Sequence, residues 1–157
     1  MAKQLGTYVG AVKALVPPHL VDFGYERVAE HVIVRDTVEL AANAADTVQL
    51  AVVGWESIID PYQSDFSFDD LGTGGTVSIG DKTYPTALVN ALDTDTAAGT
   101  AKICKAVDIA NYFKPLWAML GYATLAAAQA VGAQCELLLT RNTAAGAGPI
   151  SWQIKGS

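Results

Sequence analysis

Short runs in which apolar and polar residues alternate recur along most of the chain, and they constrain the fold more than any other feature. Successive side chains of a β-strand point to opposite faces of a sheet, so each run predicts a strand with one buried face. The apolar members of these runs are Val38 and Leu40, Val48, Leu50 and Val52, Phe66 and Phe68, Val77 and Ile79, Cys135, Leu137 and Leu139, and Ile150, Trp152 and Ile154.

Turn-forming residues separate these runs. Asn43 and Asp46 lie between the first two, a glycine-rich stretch occupies residues 72–75, and residues 142–149 form a loop rich in Ala and Gly. Such residues adopt turn backbone at low cost, and the pattern lacks the regular strand and helix alternation of a βαβ fold. The sequence therefore predicts an all-β fold, an antiparallel β-sandwich or jelly roll, over residues 36–157.

One or two short helices are expected within this domain. Residues 115–120 begin with a proline suited to a first helical turn and are followed by Gly121, which is suited to a helix stop. Residues 86–92, TALVNAL, follow Pro85 and are rich in Ala and Leu, so they predict a second helix. Residues 122–131 fit either a helix or an Ala-rich strand.

Residues 1–35 are predicted to form an extended N-terminal arm. Their apolar residues follow neither the two-residue period of a strand nor the 3.6-residue period of a helix, and Pro17-Pro18 favours extended backbone. Their many apolar side chains are not typical of a solvated linker, so the arm is expected to lie against its own domain or a neighbouring subunit. The candidate contact residues are Leu5, Tyr8, Val12, Leu15, Leu20, Phe23 and Tyr25.

Charge is distributed unevenly along the chain. The formal net charge is −6, and Lys and Arg never form a run, which disfavours nucleic acid and anionic membranes as partners. Residues 1–80 hold eleven acidic and four basic residues, whereas residues 81–157 hold five acidic and six basic residues. An acidic cluster, whose spacing differs from that of an EF-hand, consists of Glu56, Asp60, Asp65, Asp69 and Asp70, and we interpret these residues as solvated or subunit-facing charges.

The chain carries no arrangement typical of a catalytic or metal site. His19 and His31 are not part of an HExxH motif, and no GxSxG motif occurs. The glycines of residues 72–75 precede a predicted strand rather than a helix, which indicates a turn and not a phosphate-binding loop. We expect no enzymatic activity, no metal and no cofactor.

Cys104 and Cys135 stand in apolar surroundings without CxxC spacing, which predicts two buried, reduced thiols. The N-terminal residues lack the clean apolar stretch of a secretion signal. Residues 115–135 carry no charge over a length that could span a bilayer of ~30 Å. Ala and Gln stand there in place of the Leu, Ile and Phe of a membrane helix, so we expect no membrane association.

The order of these features resembles that of the head decoration proteins, or capsid cement proteins, of tailed bacteriophages. Besides the apolar arm, the stretches that carry the resemblance are TVELAANAADTVQLAVV, SFDDLGTGGTVSIGD, KPLWAMLGYATL and AVGAQCELLLT, within residues 36–141. The resemblance implies a virion subunit that binds the outer surface of the capsid shell where major capsid proteins meet, and that stabilises the shell. The expected partners are the major capsid protein and further copies of the chain, as a homodimer or homotrimer.

Two other functions fit the same fold. A tail or neck protein of the virion would use such subunits to close a ring. A carbohydrate-binding module would use Trp55, Tyr62 or Trp152 to stack on sugars. Several aromatic residues occupy inward positions of the alternating runs, which favours the core or an interface over a sugar groove.

Overall fold

The computed structural model describes residues 3–5, 32–95 and 97–157, and describes side chains from residue 34 onward. Within the predicted arm, Leu5 is placed by its backbone alone. The other predicted contact residues of the arm, and both histidines, lie outside the described residues: Tyr8, Val12, Leu15, Leu20, Phe23 and Tyr25, His19 and His31.

The described residues form nine β-strands and two short α-helices. The strands are β1 Lys3–Leu5, β2 Val32–Leu40, β3 Thr47–Val53, β4 Asp65–Phe68, β5 Thr76–Gly80, β6 Val89–Asp93, β7 Gly99–Lys102, β8 Cys135–Arg141 and β9 Gly148–Gly156. The helices are α1 Leu116–Leu120 and α2 Leu125–Gln129, and a single 3₁₀ turn spans Ile109–Asn111.

The strands form two sheets, in the orders β1-β3-β8-β5-β6 and β2-β9-β4-β7. Every pair is antiparallel except β1 with β3, which is parallel. The two sheets pack face to face, so the predicted all-β sandwich is confirmed. β2 begins at Val32, four residues before the expected start of the sandwich, because residues 32–35 pair with the end of β9.

The core between the sheets consists of the alternating residues. Val77, Ile79, Leu137 and Leu139 of one sheet and Trp152 of the other are buried. The indole nitrogen of Trp152 donates to the backbone oxygen of Leu50 at 2.9 Å, which joins the two sheets by a hydrogen bond as well as by apolar contact. The predicted strand faces are therefore largely confirmed.

Val52 is the exception, and a β-bulge explains it. The pairing of β3 with β8 shifts between Gln49 and Ala51, which leaves Leu50 without an opposite residue on β8. An extra residue reverses the side-chain alternation beyond it. Ala51 and Val53 therefore face the core, whereas Val52, predicted to be buried with Val48 and Leu50, is exposed.

The predicted helix over residues 86–92 is wrong. Residues 81–88 form a turn, and β6 begins at Val89 and pairs with β5. Leu88 and Val89 are buried in the core, and Leu88 N donates to Ile79 O at 2.9 Å. Two helical turns could not bury these side chains and also complete the sheet edge, so tertiary packing outweighs the local preference of Ala and Leu.

Capping residues mark the ends of the two helices that do form. α1 starts after Pro115 and stops at Gly121, whose φ of 104° is the left-handed conformation that favours glycine. Within residues 122–131 the chain is helical over Leu125–Gln129, and the hydroxyl of Thr124 accepts from Ala127 N at 3.1 Å. Among the described residues, no helix is long and apolar enough to cross a membrane.

Candidate protein-binding surface

The strand directions gather the loops at two opposite ends of the sandwich. β3, β5, β7 and β9 end, and β4, β6 and β8 begin, at the same end. We name it the helical end, because residues 103–134 with α1 and α2 connect β7 to β8 there. The opposite end, named the loop end, carries residues 41–46, 69–75 and 142–147.

The exposed large hydrophobic side chains lie at the helical end. In the part of the chain whose side chains are described, these residues are Val52, Tyr62, Tyr84, Ile109, Phe113 and Val131. Ile109 is 73% exposed, Tyr62 60% and Phe113 52%. Single exposed apolar residues are ordinary on protein surfaces, but their collection at one end marks a surface suited to binding another protein.

Three aromatic rings form a patch on this end, which we name the aromatic patch. The ring of Tyr62 lies edge-on to Tyr112, with 5.7 Å between centroids, and 6.0 Å from the ring of Phe113. Phe113 has a φ of +60°, a left-handed backbone that a bulky side chain adopts only at a cost. The fold therefore maintains a strained residue within an exposed apolar surface.

Asp60 and Asp65, predicted contact residues, hold the loop that carries Tyr62. Oδ1 of Asp60 accepts from the backbone nitrogens of Tyr62 and Gln63 at 2.8 and 3.1 Å. Lys102 Nζ donates to the backbone oxygen of Tyr62 at 2.7 Å and forms an ion pair with Asp65 at 3.6 Å. Asp60 therefore fixes the backbone beside Tyr62 directly, and Asp65 does so through Lys102. Glu56 is exposed at the same end of the sandwich.

The acidic cluster of the sequence is divided by the fold. Glu56, Asp60 and Asp65 lie at the helical end, whereas Asp69 and Asp70 lie at the loop end, because β4 runs between them. Among residues 3–5, 32–95 and 97–157, no three His, Cys, Asp or Glu side chains are grouped closely enough to hold a metal ion.

A groove of about 380 Å³ opens beside α2 at the helical end. Its lining residues are Val52, Trp55, Asp81, Lys82, Val131, Gly132, Gln134 and Glu136. Asp81 is only 2% exposed, and its carboxylate accepts from Tyr84 N at 2.6 Å and from the Tyr122 hydroxyl at 2.5 Å. Burial, and then this hydrogen bond, raise the pKa of Tyr122 to about 12, so the phenol stays a donor.

The helical end carries charges of both signs, whereas the loop end is acidic. Within residues 34–95 and 97–157, all five lysines, Lys82, Lys102, Lys105, Lys114 and Lys155, lie at or near the helical end. The loop end and the strand ends beside it carry Glu39, Asp69, Asp70, Asp93 and Asp95. The basic residue described there, Arg141, is 1% exposed and donates to backbone oxygens.

Both cysteines and two of the tryptophans are in the core. Cys104 and Cys135 are buried and unbridged, which confirms the prediction of buried, reduced thiols. Burial above all raises the pKa of each thiol to about 12, so neither is a ready nucleophile. Trp55 and Trp152 are also buried, with indole nitrogens bonded to backbone oxygens, so the predicted sugar-stacking set leaves only Tyr62 exposed.

Sequence reasoning missed Tyr84, Ile109, Phe113 and Val131 as surface residues. They lie in segments without strand or helix periodicity, where the hydrophobic pattern does not tell a buried position from an exposed one. A usable signal was the pair Tyr112-Phe113, since two aromatic residues in an aperiodic stretch have no predicted core face to occupy.

Comparisons with known proteins give a structural likeness. No protein-family model matches the sequence, and no curated protein matches it. The fold is similar to a chain of a solved structure described as "Cyanophage Pam1 capsid asymmetric unit", with a TM-score of 0.49 and 12% sequence identity. The likeness covers 90% of this chain and 94% of that chain, and at this TM-score and identity it carries no argument about function.

Proposed function

We propose that the protein is a virion structural protein that binds an assembled capsid shell and stabilises it by bridging neighbouring major capsid subunits. The observation that carries the proposal is the collection of exposed hydrophobic side chains at the helical end, opposite an acidic loop end. The partners are the major capsid protein and further copies of this chain, and the site is the outer surface of the shell. The protein acts by contact and transforms no substrate.

The polarity of the molecule supports an orientation on the shell. Burying Tyr62, Ile109 and Phe113 against a neighbour removes apolar surface from water, at roughly 25 cal/mol per Å². The carboxylates of the loop end lose their hydration if they are covered, so this end faces solvent. In this arrangement the helical end rests on the shell and the loop end points outward.

A repetitive shell compensates for the modest size of such a surface. A small apolar patch with lysines around it binds a single partner weakly. When one subunit contacts two capsid proteins, the second contact forms at the effective concentration set by the first. Function then depends on the area and geometry of contact.

Purified shells that lack the protein provide the test. The full chain, and a variant with Tyr62→Ser and Phe113→Ser, are mixed with shells, and occupancy is measured by sedimentation and electron microscopy. A matched control, Thr73→Ser with Thr143→Ser, changes the loop end. We expect the wild type and the control to coat the whole head and to raise the temperature at which shells break, and the patch variant to lose most of its occupancy.

Three outcomes would contradict the proposal. Shells that remain bare with the wild-type chain would show that it does not bind them. Density confined to one vertex would indicate a tail or neck protein instead. Full occupancy by the patch variant would place the contact elsewhere on the molecule.

A further inference from the structure

β7 is an edge strand with a free side. In the part of the chain that the structure describes, it pairs with β4 and is the last strand of its sheet. Thr100 and Lys102 of this strand are exposed. The outer side of an edge strand presents N–H and C=O groups that form a template for a strand from another chain. Such an edge binds an extended segment whose hydrogen bonds and charges match its own.

The hydrogen bonds between β4 and β7 determine which backbone groups of β7 point outward. Ile103 N donates to Ser64 O at 3.1 Å, directly beyond the last pair of the ladder. Hydrogen-bonded pairs alternate along an antiparallel ladder, so the backbone groups of Ala101 and Gly99 bond to β4. The N–H and C=O groups of Thr100 therefore point away from β4.

The usual protections of an edge strand are weak in β7. A β-bulge protects the described edge strand of the other sheet, since the pairing of β6 with β5 shifts and Ala91 has a φ of 45°. The pairing of β7 with β4 runs without such a shift. A lysine can also protect an edge, but Nζ of Lys102 is held toward β4 by Tyr62 O at 2.7 Å and by the ion pair with Asp65.

The charges beside β7 favour a second copy of this chain as the partner. β7 begins at the loop end, near the exposed carboxylates of Asp69 and Asp93, and ends at the helical end, where the exposed Lys105 follows it. Two identical strands that pair antiparallel place the beginning of each beside the end of the other. Lys105 of each copy then lies near the carboxylates of the other, and the same attraction forms twice.

We propose that two copies of the protein pair antiparallel through β7, so that two four-stranded sheets become one sheet of eight strands. Lys102 O already accepts from Lys105 N at 3.3 Å, which favours a register that does not need this oxygen. In that register Thr100 exchanges two backbone hydrogen bonds with Thr100 of the second copy. Lys102 N then donates to Ala98 O of the second copy.

The dimer is a state of the free protein and goes beyond the proposed function. Because the paired strands run in opposite directions, the helical ends of the two copies point in opposite directions. One shell surface cannot receive both helical ends, so pairing through β7 and binding to the shell compete. This competition rests on the proposed function, whereas the pairing concerns the protein alone.

Sedimentation equilibrium of the full-length protein tests the pairing. The contact is small, so we expect a dissociation constant on the order of 100 μM. Thr100→Pro removes the outward N–H, and edge strands accept proline at such positions. Thr100→Val is the matched control, because it also removes the hydroxyl that lies 2.9 Å from that of Ser67 but keeps the N–H. Thr100→Val should dimerise like the wild type, and Thr100→Pro about tenfold more weakly or less.

Cross-linking tests the register and keeps the proposal testable if Thr100→Pro does not fold. Thr100→Cys places two thiols opposite each other in the dimer, so a short bismaleimide should link them. Thr73→Cys, an exposed position at the loop end, is the control, because the two loop ends lie far apart in the dimer. Cys104 and Cys135 are buried and do not compete for the reagent.

A wild-type protein that stays monomeric, equal affinities of Thr100→Pro and Thr100→Val, or equal linking of Thr100→Cys and Thr73→Cys would overturn the pairing. These measurements contain no shells, so their failure is distinct from failure of the proposed function. Dimers together with bare shells would retain the pairing and contradict the proposed function. Shell binding by a protein that never dimerises would do the reverse.

Discussion

The hydroxyl of Tyr122 donates to Oδ2 of Asp81 at 2.5 Å and thereby joins the segment before α2 to the turn between β5 and β6. Oδ1 of the same carboxylate accepts from Tyr84 N at 2.6 Å, so Asp81 also closes its own turn. The rings of Trp55 and Tyr84 lie edge-on to Tyr122, at 5.4 and 4.8 Å between centroids. The buried carboxylate thus joins two segments of the helical end, and the ring of Tyr122 connects them to Trp55.

Removing the hydroxyl of Tyr122 should destabilise the protein. Tyr122→Phe keeps the ring contacts but leaves one oxygen of a buried carboxylate without this donor, and a hydrogen bond to a charged group contributes about 1.5–3 kcal/mol. We expect the free energy of unfolding in urea to fall by about that amount. Tyr84→Phe is the control, because Tyr84 donates to Asp81 through its backbone. Equal losses in the two variants would contradict this role of the hydroxyl.

The stabilisation by Tyr122 should disappear at alkaline pH. Its pKa is raised to about 12 in the folded protein from an ordinary 10.0, first by burial and then by the hydrogen bond to Asp81. A raised pKa means that folding favours the protonated phenol, so its contribution is complete below pH 10 and is lost as pH rises through 12. The difference in unfolding free energy between wild type and Tyr122→Phe should therefore shrink between pH 10 and 12. A constant difference would show that the phenol does not titrate in this way.

The sequence could predict the strands because their period is local. The runs around Val77, Leu137 and Trp152 each report their own buried face, and the structure confirms them. Val52 and residues 86–92 could not be predicted, because a bulge and a sheet edge depend on partners distant in sequence. Local propensity contains no information about such partners.

Fewer residues of the candidate surface than of the fold could be predicted from the sequence. Asp60 and Asp65 were singled out as charged residues, and the structure places them beside Tyr62. Phe113 and Val131 were missed, since only the assembled sandwich shows that their segments meet at one end. Whether Asp60 and Asp65 contact a neighbouring subunit stays a prediction.

Arg141 should be a major determinant of stability at the loop end. Its guanidinium donates to the backbone oxygens of Ala41, Leu71 and Thr143 at 2.9, 2.7 and 3.0 Å, which joins three loops. Arg141→Lys keeps the charge but cannot donate in three fixed directions, so buried oxygens lose partners at about 1–3 kcal/mol each. We expect a loss of more than ~2 kcal/mol in urea unfolding. Arg35→Lys, at an exposed position, should change stability little, and equal effects would contradict the proposed role.

The two thiols should resist alkylation in the folded protein. Cys104 and Cys135 are buried, and the pKa of each is raised to about 12, chiefly by burial, so the thiolate that reacts is scarce at pH 8. Iodoacetamide should therefore modify neither residue at pH 8 and both in urea, as measured by mass spectrometry. Rapid modification of either thiol without denaturant would refute its burial.

The backbone strain at Phe113 and the role of its ring in binding should be separable by mutation. Phe113→Ala and Phe113→Gly remove the same ring and its contact with Tyr62, but glycine tolerates a φ of +60° whereas alanine does not. Phe113→Gly should therefore be more stable than Phe113→Ala by about 1 kcal/mol in urea unfolding. Both variants should lose shell occupancy equally, because binding depends on the ring. Equal stability would show that the backbone relaxes without cost, and wild-type occupancy of the glycine variant would remove Phe113 from the binding surface.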